Sequence, residues 1–151
     1  MRIERYWFSD LTTEQLYELL QLRAKVFVVE QDCPYLDPDG KDQKALHLLG
    51  YANGRLAAYT RIFAPGDYME RCSIGRVVVQ PDLRGRGYGK EIMDASMQAA
   101  AAEFGPGSVE ISAQSYLKRF YNGMGFREIG PEYLEDGIPH IRMVQNPPGN
   151  S

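Results

Sequence analysis

The chain has 151 residues, 44% of them hydrophobic and 25% charged, which suits one globular domain with a single core and leaves little room for a second. Seventeen Lys+Arg against twenty Asp+Glu give a formal net charge of -3, the wrong sign for a surface that tracks nucleic acid or anionic lipid along its whole extent. No apolar run approaches the roughly 18 residues of a membrane span, and Met1-Arg2-Ile3-Glu4-Arg5 carries no apolar signal core, so a cytoplasmic protein is expected.

The first elements follow from hydrophobic period. Ile3 to Phe8 alternates charged and large apolar residues as a half-buried strand does, and Ser9-Asp10 ends it. Thr12 and Gln15 form a capping box, after which Leu16, Leu19, Leu20 and Phe27 recur on one helical face. From Gln31 to Lys44 the chain is rich in Asp, Pro and Gly, a loop long enough to suggest a role in substrate binding. Within it Asp37-Pro38-Asp39-Gly40 fails as a calcium loop, because glycine stands fourth where the pattern needs it sixth.

Asn53-Gly54, the dipeptide suited to a two-residue turn with positive φ, joins strands Ala45 to Tyr51 and Arg55 to Phe63 as a hairpin. Ser73 to Val79 ends in three consecutive valines, the pattern of a central strand buried on both faces. A helix from Lys90 to Phe104 carries Met93, Met97, Ala100 and Phe104 on one stripe and stops at Gly105-Pro106-Gly107. Val109 to Ala113 reads as a strand, Tyr116 to Met124 as a short helix, and Phe126 to Ile129 and Ile138 to Val144 as two more strands. One domain is expected over residues 1–145, with 146–151 as a flexible tail.

Cys33 and Cys72 are far apart and belong to no C-x-x-C pair, and His47 and His140 are equally isolated, so neither a disulfide scaffold nor a metal site is expected. The strongest local signal is Arg84-Gly85-Arg86-Gly87-Tyr88-Gly89, set between the valine strand and the Lys90 helix. A helix N-terminus offers unpaired N–H groups and a partial positive charge, glycines let that backbone approach a phosphate, and Arg84, Arg86 and Lys90 add cations. The spacing fits neither an NTPase loop nor a dinucleotide fingerprint, so another phosphorylated ligand is implied. A tight basic turn with no ligand is the plain alternative.

With these residues in view, the chain resembles the GCN5-related N-acetyltransferase (GNAT) superfamily, whose acyl-CoA motif R/Q-x-x-G-x-G/A is matched by Arg84, Gly87 and Gly89. A later family motif is similar to Leu117-Lys118-Arg119-Phe120-Tyr121-Asn122-Gly123-Met124-Gly125-Phe126, and Val26 to Gly40 resembles the ElaA-like branch. The resemblance implies an α/β (α+β) fold: a mixed, mostly antiparallel sheet of six or seven strands flanked by helices and splayed between the fourth and fifth strands. It implies a cytoplasmic acetyl-CoA-dependent N-acetyltransferase acting directly on a primary amine, with no metal, no nucleic acid and no membrane partner. Homodimers are common in the superfamily.

The resemblance further assigns the pyrophosphate to Arg84, Gly85, Arg86, Gly87, Tyr88, Gly89 and Lys90, and the pantetheine to the main chain of Val77, Val78 and Val79. It makes Tyr121 the proton or hydrogen-bond donor to the leaving sulfur, and a main-chain N–H near Val77 the stabiliser of the carbonyl oxygen. An alkylamine with a pKa near 10.4 is neutral only to about one part in a thousand at pH 7.4, so a base is needed. The carboxylate that some relatives carry before the acyl-CoA motif has no counterpart in Cys72-Ser73-Ile74-Gly75, which leaves Glu30, His47 and Glu110 as candidates. Asp37, Asp39, Glu132, Glu135 and Asp136 make the two acceptor-side loops acidic, which would favour a cationic amine. Acyl transfer through Cys33 or Cys72 lacks a neighbouring histidine. A non-catalytic acyl-CoA-binding regulator and a phosphate-loop interaction protein are the competing readings.

Overall fold

The structure is a computed structural model and describes residues 1–146; the expected tail beyond Asn146 lies outside the described residues. Its strands are β1 (Arg2–Trp7), β2 (Leu46–Ala52), β3 (Arg55–Phe63), β4 (Cys72–Val79), β5 (Val109–Gln114), β6 (Arg127–Glu128), β7 (Tyr133–Glu135) and β8 (Ile138–Gln145). The helices are α1 (Thr13–Arg23), which runs on as a π-helical turn Ala24–Glu30, α2 (Tyr88–Phe104) and α3 (Lys118–Asn122). All eight strands join one sheet in the order β1-β2-β3-β4-β5-β8-β6, with β7 beside β8. Every pairing is antiparallel except β4 with β5, which α2 connects as a β-α-β crossover.

Several elements form for the reasons visible in the chain. The Thr12 hydroxyl accepts from Gln15 N at 3.1 Å while Gln15 Oε1 accepts from Thr12 N at 2.9 Å, so both halves of the capping box start α1. Asn53 and Gly54 take φ of 51° and 76°, closing the β2–β3 hairpin as expected. One hairpin escaped the sequence reading. Asp136 and Gly137, with φ of 51° and 78°, turn β7 into β8 within what the sequence reads as the acceptor-side loop of Glu132, Glu135 and Asp136.

The two sheet faces bury different material. On one face Ile74, Ile111 and Met143 pack beneath Ile92, Met93 and Ala100 of α2, with Tyr121 and Phe126 at the far end. On the other, Leu19 and Leu22 of α1 and Val26 beyond it cover Leu49, Tyr59 and Val78. The cross-strand pair Arg61 and Gly75 shares this second face, as do Phe63 and Ser73. There Arg23, His47 and Arg61 are at most 1% exposed.

Candidate active site

The site begins with a failure of pairing. β4 and β5 meet only at Cys72 with Val109 and at Ser73 with Glu110; beyond those residues the two strands part. The opening is a cleft of about 570 Å³, walled by Ile74 to Val79 of β4 and Ile111 to Gln114 of β5, within the size range of small-molecule sites. On its cleft side β4 therefore offers backbone that no strand satisfies past Ser73. The valine strand is central and covered on both faces, with its opening at the edge: Val78 is 3% exposed in the α1-side cluster, and Val77 and Val79, half-buried against the α2-side core, line the cleft.

β4 is also bulged. Its register with β3 passes from Val78–Tyr59 to Gly75–Arg61, so Arg76 and Val77 stand opposite Thr60 alone. Arg76 holds φ at 50°, an uncommon conformation for a side chain of its size. Its guanidinium is pinned: Nη2 donates to Asp37 O at 2.9 Å, Nε lies 3.0 Å from Asp37 Oδ1 as a charge contact off hydrogen-bond alignment, and the Tyr35 ring sits below it. The bulge lies in the stretch of β4 that lines the cleft, Gly75 to Val79.

At one end of the cleft stands the N-terminus of α2. The helix starts at Tyr88, two residues before the expected Lys90, with Gly87 at φ 81° as its cap residue and no side chain capping it. The first-turn N–H groups of Tyr88, Gly89 and Lys90 are therefore unclaimed by a cap. Gly85 and Gly87 both hold positive φ, and a Cβ at either would meet nothing within 4 Å. The bend is open rather than filled by its own side chains. Arg84, Gly85, Gly87, Tyr88, Gly89 and Lys90 all line the cleft, whereas Arg86 is exposed outside it. Arg84 donates to Glu30 at 2.6 and 3.0 Å across the mouth, and Lys90 pairs with Asp94 at 2.8 Å.

Tyr121 enters the cleft from α3, 5% exposed, with its ring edge-on to Phe120 and Phe126 at 5.0 and 6.0 Å. Burial pushes its phenol well above the usual value. That makes outright proton transfer to a thiolate still less favourable than for an ordinary tyrosine, so hydrogen-bond donation is what this hydroxyl can supply.

The candidate bases fare unequally. Glu30 lines the cleft, but its carboxylate is held by Arg84. His47 does not reach the cleft at all: it is fully buried, Nε2 donates to Asp42 O at 2.8 Å, and Nδ1 accepts from the Tyr59 hydroxyl at 2.6 Å. Desolvation lowers its pKa, which keeps the ring neutral, and the geometry makes it a structural residue in place of the expected base. Glu110 is 3% exposed between Arg71 and Arg142 at 2.9 and 2.7 Å; burial raises its carboxyl and those two arginines bring it below the usual range.

The acidic loops need a similar correction. Asp37 is 3% exposed and paired with Arg23 and Arg76, and Asp39 with Arg61, so neither presents free charge to an acceptor. Glu132 is exposed away from the cleft, while Glu135 and Asp136 line it. His140, isolated in the sequence, also lines it. The register of the unrecognised Asp136-Gly137 hairpin would have placed it there. Cys33 donates through Sγ to Asp136 O at 3.3 Å, and Cys72 lies in the apolar core with its thiol pushed up to about 11 by burial, so no activated thiolate is formed at Cys72. Among the described residues no group of three or more His, Cys, Asp or Glu is placed to hold a metal, and no helix is long and apolar enough to cross a membrane.

An open, mostly antiparallel sheet splayed at a single parallel pair, with a helix N-terminus aimed into the gap, defines the acyl-CoA N-acyltransferase architecture. Residues 9–146 match the acetyltransferase (GNAT) domain family, and the chain belongs to that family. Protein ElaA of Escherichia coli is 44% identical over 139 residues, 91% of each chain. Its crystal structure superposes with a TM-score of 0.89 at 41% identity, covering 96% of this chain and 99% of that one. An acyl-CoA N-acyltransferase from Pseudomonas aeruginosa gives 0.90 at 41% identity, covering 95% and 98%. An aminoglycoside 6'-N-acetyltransferase complexed with coenzyme A shares the fold at 13% identity, with a TM-score of 0.73 over 96% of each chain.

Proposed function

We propose that the protein transfers an acetyl group from acetyl-CoA directly to a primary amine. The observation that carries this reading is the parting of β4 from β5 after Ser73, which leaves an open strand edge leading from the uncapped α2 N-terminus to Tyr121. The residues present suit the cosubstrate. Arg84, Lys90 and the amides of Tyr88 and Gly89 would hold its diphosphate, and the free edge of β4 would pair with its amide arm as an added strand does. The coenzyme supplies an acyl group activated as a thioester.

The chain's own contribution is electrostatic. Main-chain N–H at the Val77 bulge would donate to the carbonyl oxygen as it gains charge, and the Tyr121 hydroxyl would donate to the departing sulfur. Neither group needs to change its own ionisation. The Arg76–Asp37 contacts fix the bulge, and so fix the direction of the first donor.

Incubation with acetyl-CoA and a panel of primary amines, following free thiol and acetylated product by mass spectrometry, tests the proposal. Turnover is expected, with Tyr121→Phe lowering kcat by about 10²-fold while CoA still raises the melting temperature. Thermal stabilisation by CoA with no product from any amine would replace the enzyme by a non-catalytic acyl-CoA-binding regulator. Absence of stabilisation would remove both.

A further inference from the structure

Glu135 and His140 have no role in the scheme above, which still lacks a base. They are brought together by the β7–β8 hairpin, in which Tyr133 pairs with His140 and Glu135 with Ile138. On its other side His140 stands opposite Gln114 of β5. Alternation along β5 and β8 places it, with Ser112 and Arg142, on the sheet face turned away from Ile111, Ala113 and Met143 and the α2 core. Tyr121 reaches the cleft from the core side and His140 from the opposite side, which is where an amine would meet the acyl carbon.

The imidazole is oriented by a fixed partner. His140 is 6% exposed, and its Nδ1 lies 2.7 Å from Ile138 O. Carbonyl and carboxylate oxygens only accept, so the shorter 2.7 Å contact places the hydrogen of the neutral ring on Nδ1, and the contact of Nε2 with Glu135 becomes a hydrogen bond only when Nε2 takes up a proton. That nitrogen lies 3.3 Å from Glu135 Oε2, whose side chain is 43% exposed. A buried basic nitrogen thus adjoins a carboxylate in contact with solvent. The other carboxylates considered are engaged, Glu30 by Arg84 and Glu110 by two arginines, and His47 is sealed beneath the sheet.

We propose that His140 is the general base, its Nε2 taking a proton from the acceptor ammonium while Glu135 attracts that ammonium and then returns the proton to solvent. The inference rests on the acyltransfer reading. The freed nitrogen lone pair forms the C–N bond, the C–S bond breaks with its electron pair going to sulfur, and the second amine proton ends on the thiolate. One proton is released per acetyl group transferred. The arrangement is the familiar one of a base held in position by a third group, with a backbone carbonyl as the orienter.

Two acceptors of nearly equal size separate base catalysis from general damage. Ethylamine is almost wholly protonated near neutral pH, whereas 2,2,2-trifluoroethylamine is largely neutral because its fluorines withdraw charge. His140→Asn keeps an amide N–H where Nδ1–H stood and removes Nε2. Transfer to ethylamine should fall on the order of 10²-fold and transfer to trifluoroethylamine by less than about threefold, with CoA binding by calorimetry unchanged. Glu135→Gln should fall between wild type and His140→Asn for ethylamine alone.

Equal losses on both amines in an enzyme active on both overturn the base assignment and leave acyl transfer standing. A wild type that binds acetyl-CoA and acetylates no amine overturns both. Nitrogen-15 NMR of the ligand-free protein, at a pH where the ring is neutral, supplies a readout independent of turnover. Hydrogen on Nδ1 is expected, and hydrogen on Nε2 would sink the proposal by itself.

Discussion

The α2 face of the sheet is buried by apolar packing, whereas the opposite face adds to its apolar cluster a buried ionic network that the α2 face lacks. Under α2, Ile74, Ile92, Met93, Ile111 and Phe126 are each no more than 2% exposed and interlock without charge. Across the sheet Arg23 and Arg61 are as hidden, and Asp42 is 6% exposed, but here the contacts are ionic: Asp42 Oδ1 accepts from both arginines at 2.8 and 2.9 Å, Asp37 holds Arg23 and Arg76, and Asp39 holds Arg61. The apolar face tolerates small changes of shape, because dispersion is spread over many contacts. The ionic face does not, because each charge depends on a named partner. It ties the long Gln31–Lys41 segment to the β4 bulge, so the less forgiving chemistry sits where the site needs position rather than bulk.

The sharpest way to break this contrast is Asp42→Ala, which removes the anion shared by two buried guanidinium groups and leaves Arg23 to Asp37 and Arg61 to Asp39. A loss of about 3 kcal/mol in denaturant unfolding is expected, despite the small volume removed. Next in size is the response to acid. Burial pushes the Asp42 and Asp39 carboxyls up, and the hydrogen bonds and charges of Arg61, with Arg23 at Asp42, more than reverse this, so both lie below their ordinary 3.8. His47, lowered by burial, lies below its ordinary 6.5.

For all three the unfolded chain binds protons more readily, so stability is lost as the pH is lowered. The melting temperature should decline first below about pH 6.5, as His47 resists protonation in the fold, and then more steeply below about pH 4, as the carboxylates lose their charge. His47→Gln should flatten the first decline and leave the second. The smallest effect should come from the apolar face: Ile74→Val at about 0.5–1.5 kcal/mol, with the pH profile unchanged. An Asp42→Ala cost no larger than that of Ile74→Val would erase the distinction between the faces.

What could be read from the chain alone was whatever is written locally. Thr12 with Gln15, Asn53-Gly54 and the Arg84–Gly89 bend are short-range signals, and each appears where its chemistry places it. Asp136-Gly137 obeys the same rule as Asn53-Gly54, but its first strand is only three residues long, too short to show a period. The Arg76 bulge left no local mark, since Gly75 beside it is the residue that would ordinarily take a positive φ. Asp37 and Asp39 looked like solvated loop acids because their partners Arg23, Arg61 and Arg76 lie at least 14 positions away. That His140 and not the candidate His47 lines the cleft has a related reason: which of two lone histidines meets the cleft is decided by strand pairing, not by neighbours in sequence.

The clasp between Arg84 and Glu30 has one more consequence. Because that guanidinium already has an anionic partner, a phosphorylated ligand bound as proposed would perform a counter-ion swap in which the Glu30 carboxylate is set loose. The net gain is a difference between two similar ionic contacts, so affinity should respond to ionic strength less steeply than the tally of cations around the bend suggests. Glu30→Gln, by removing the incumbent, should restore the steeper slope.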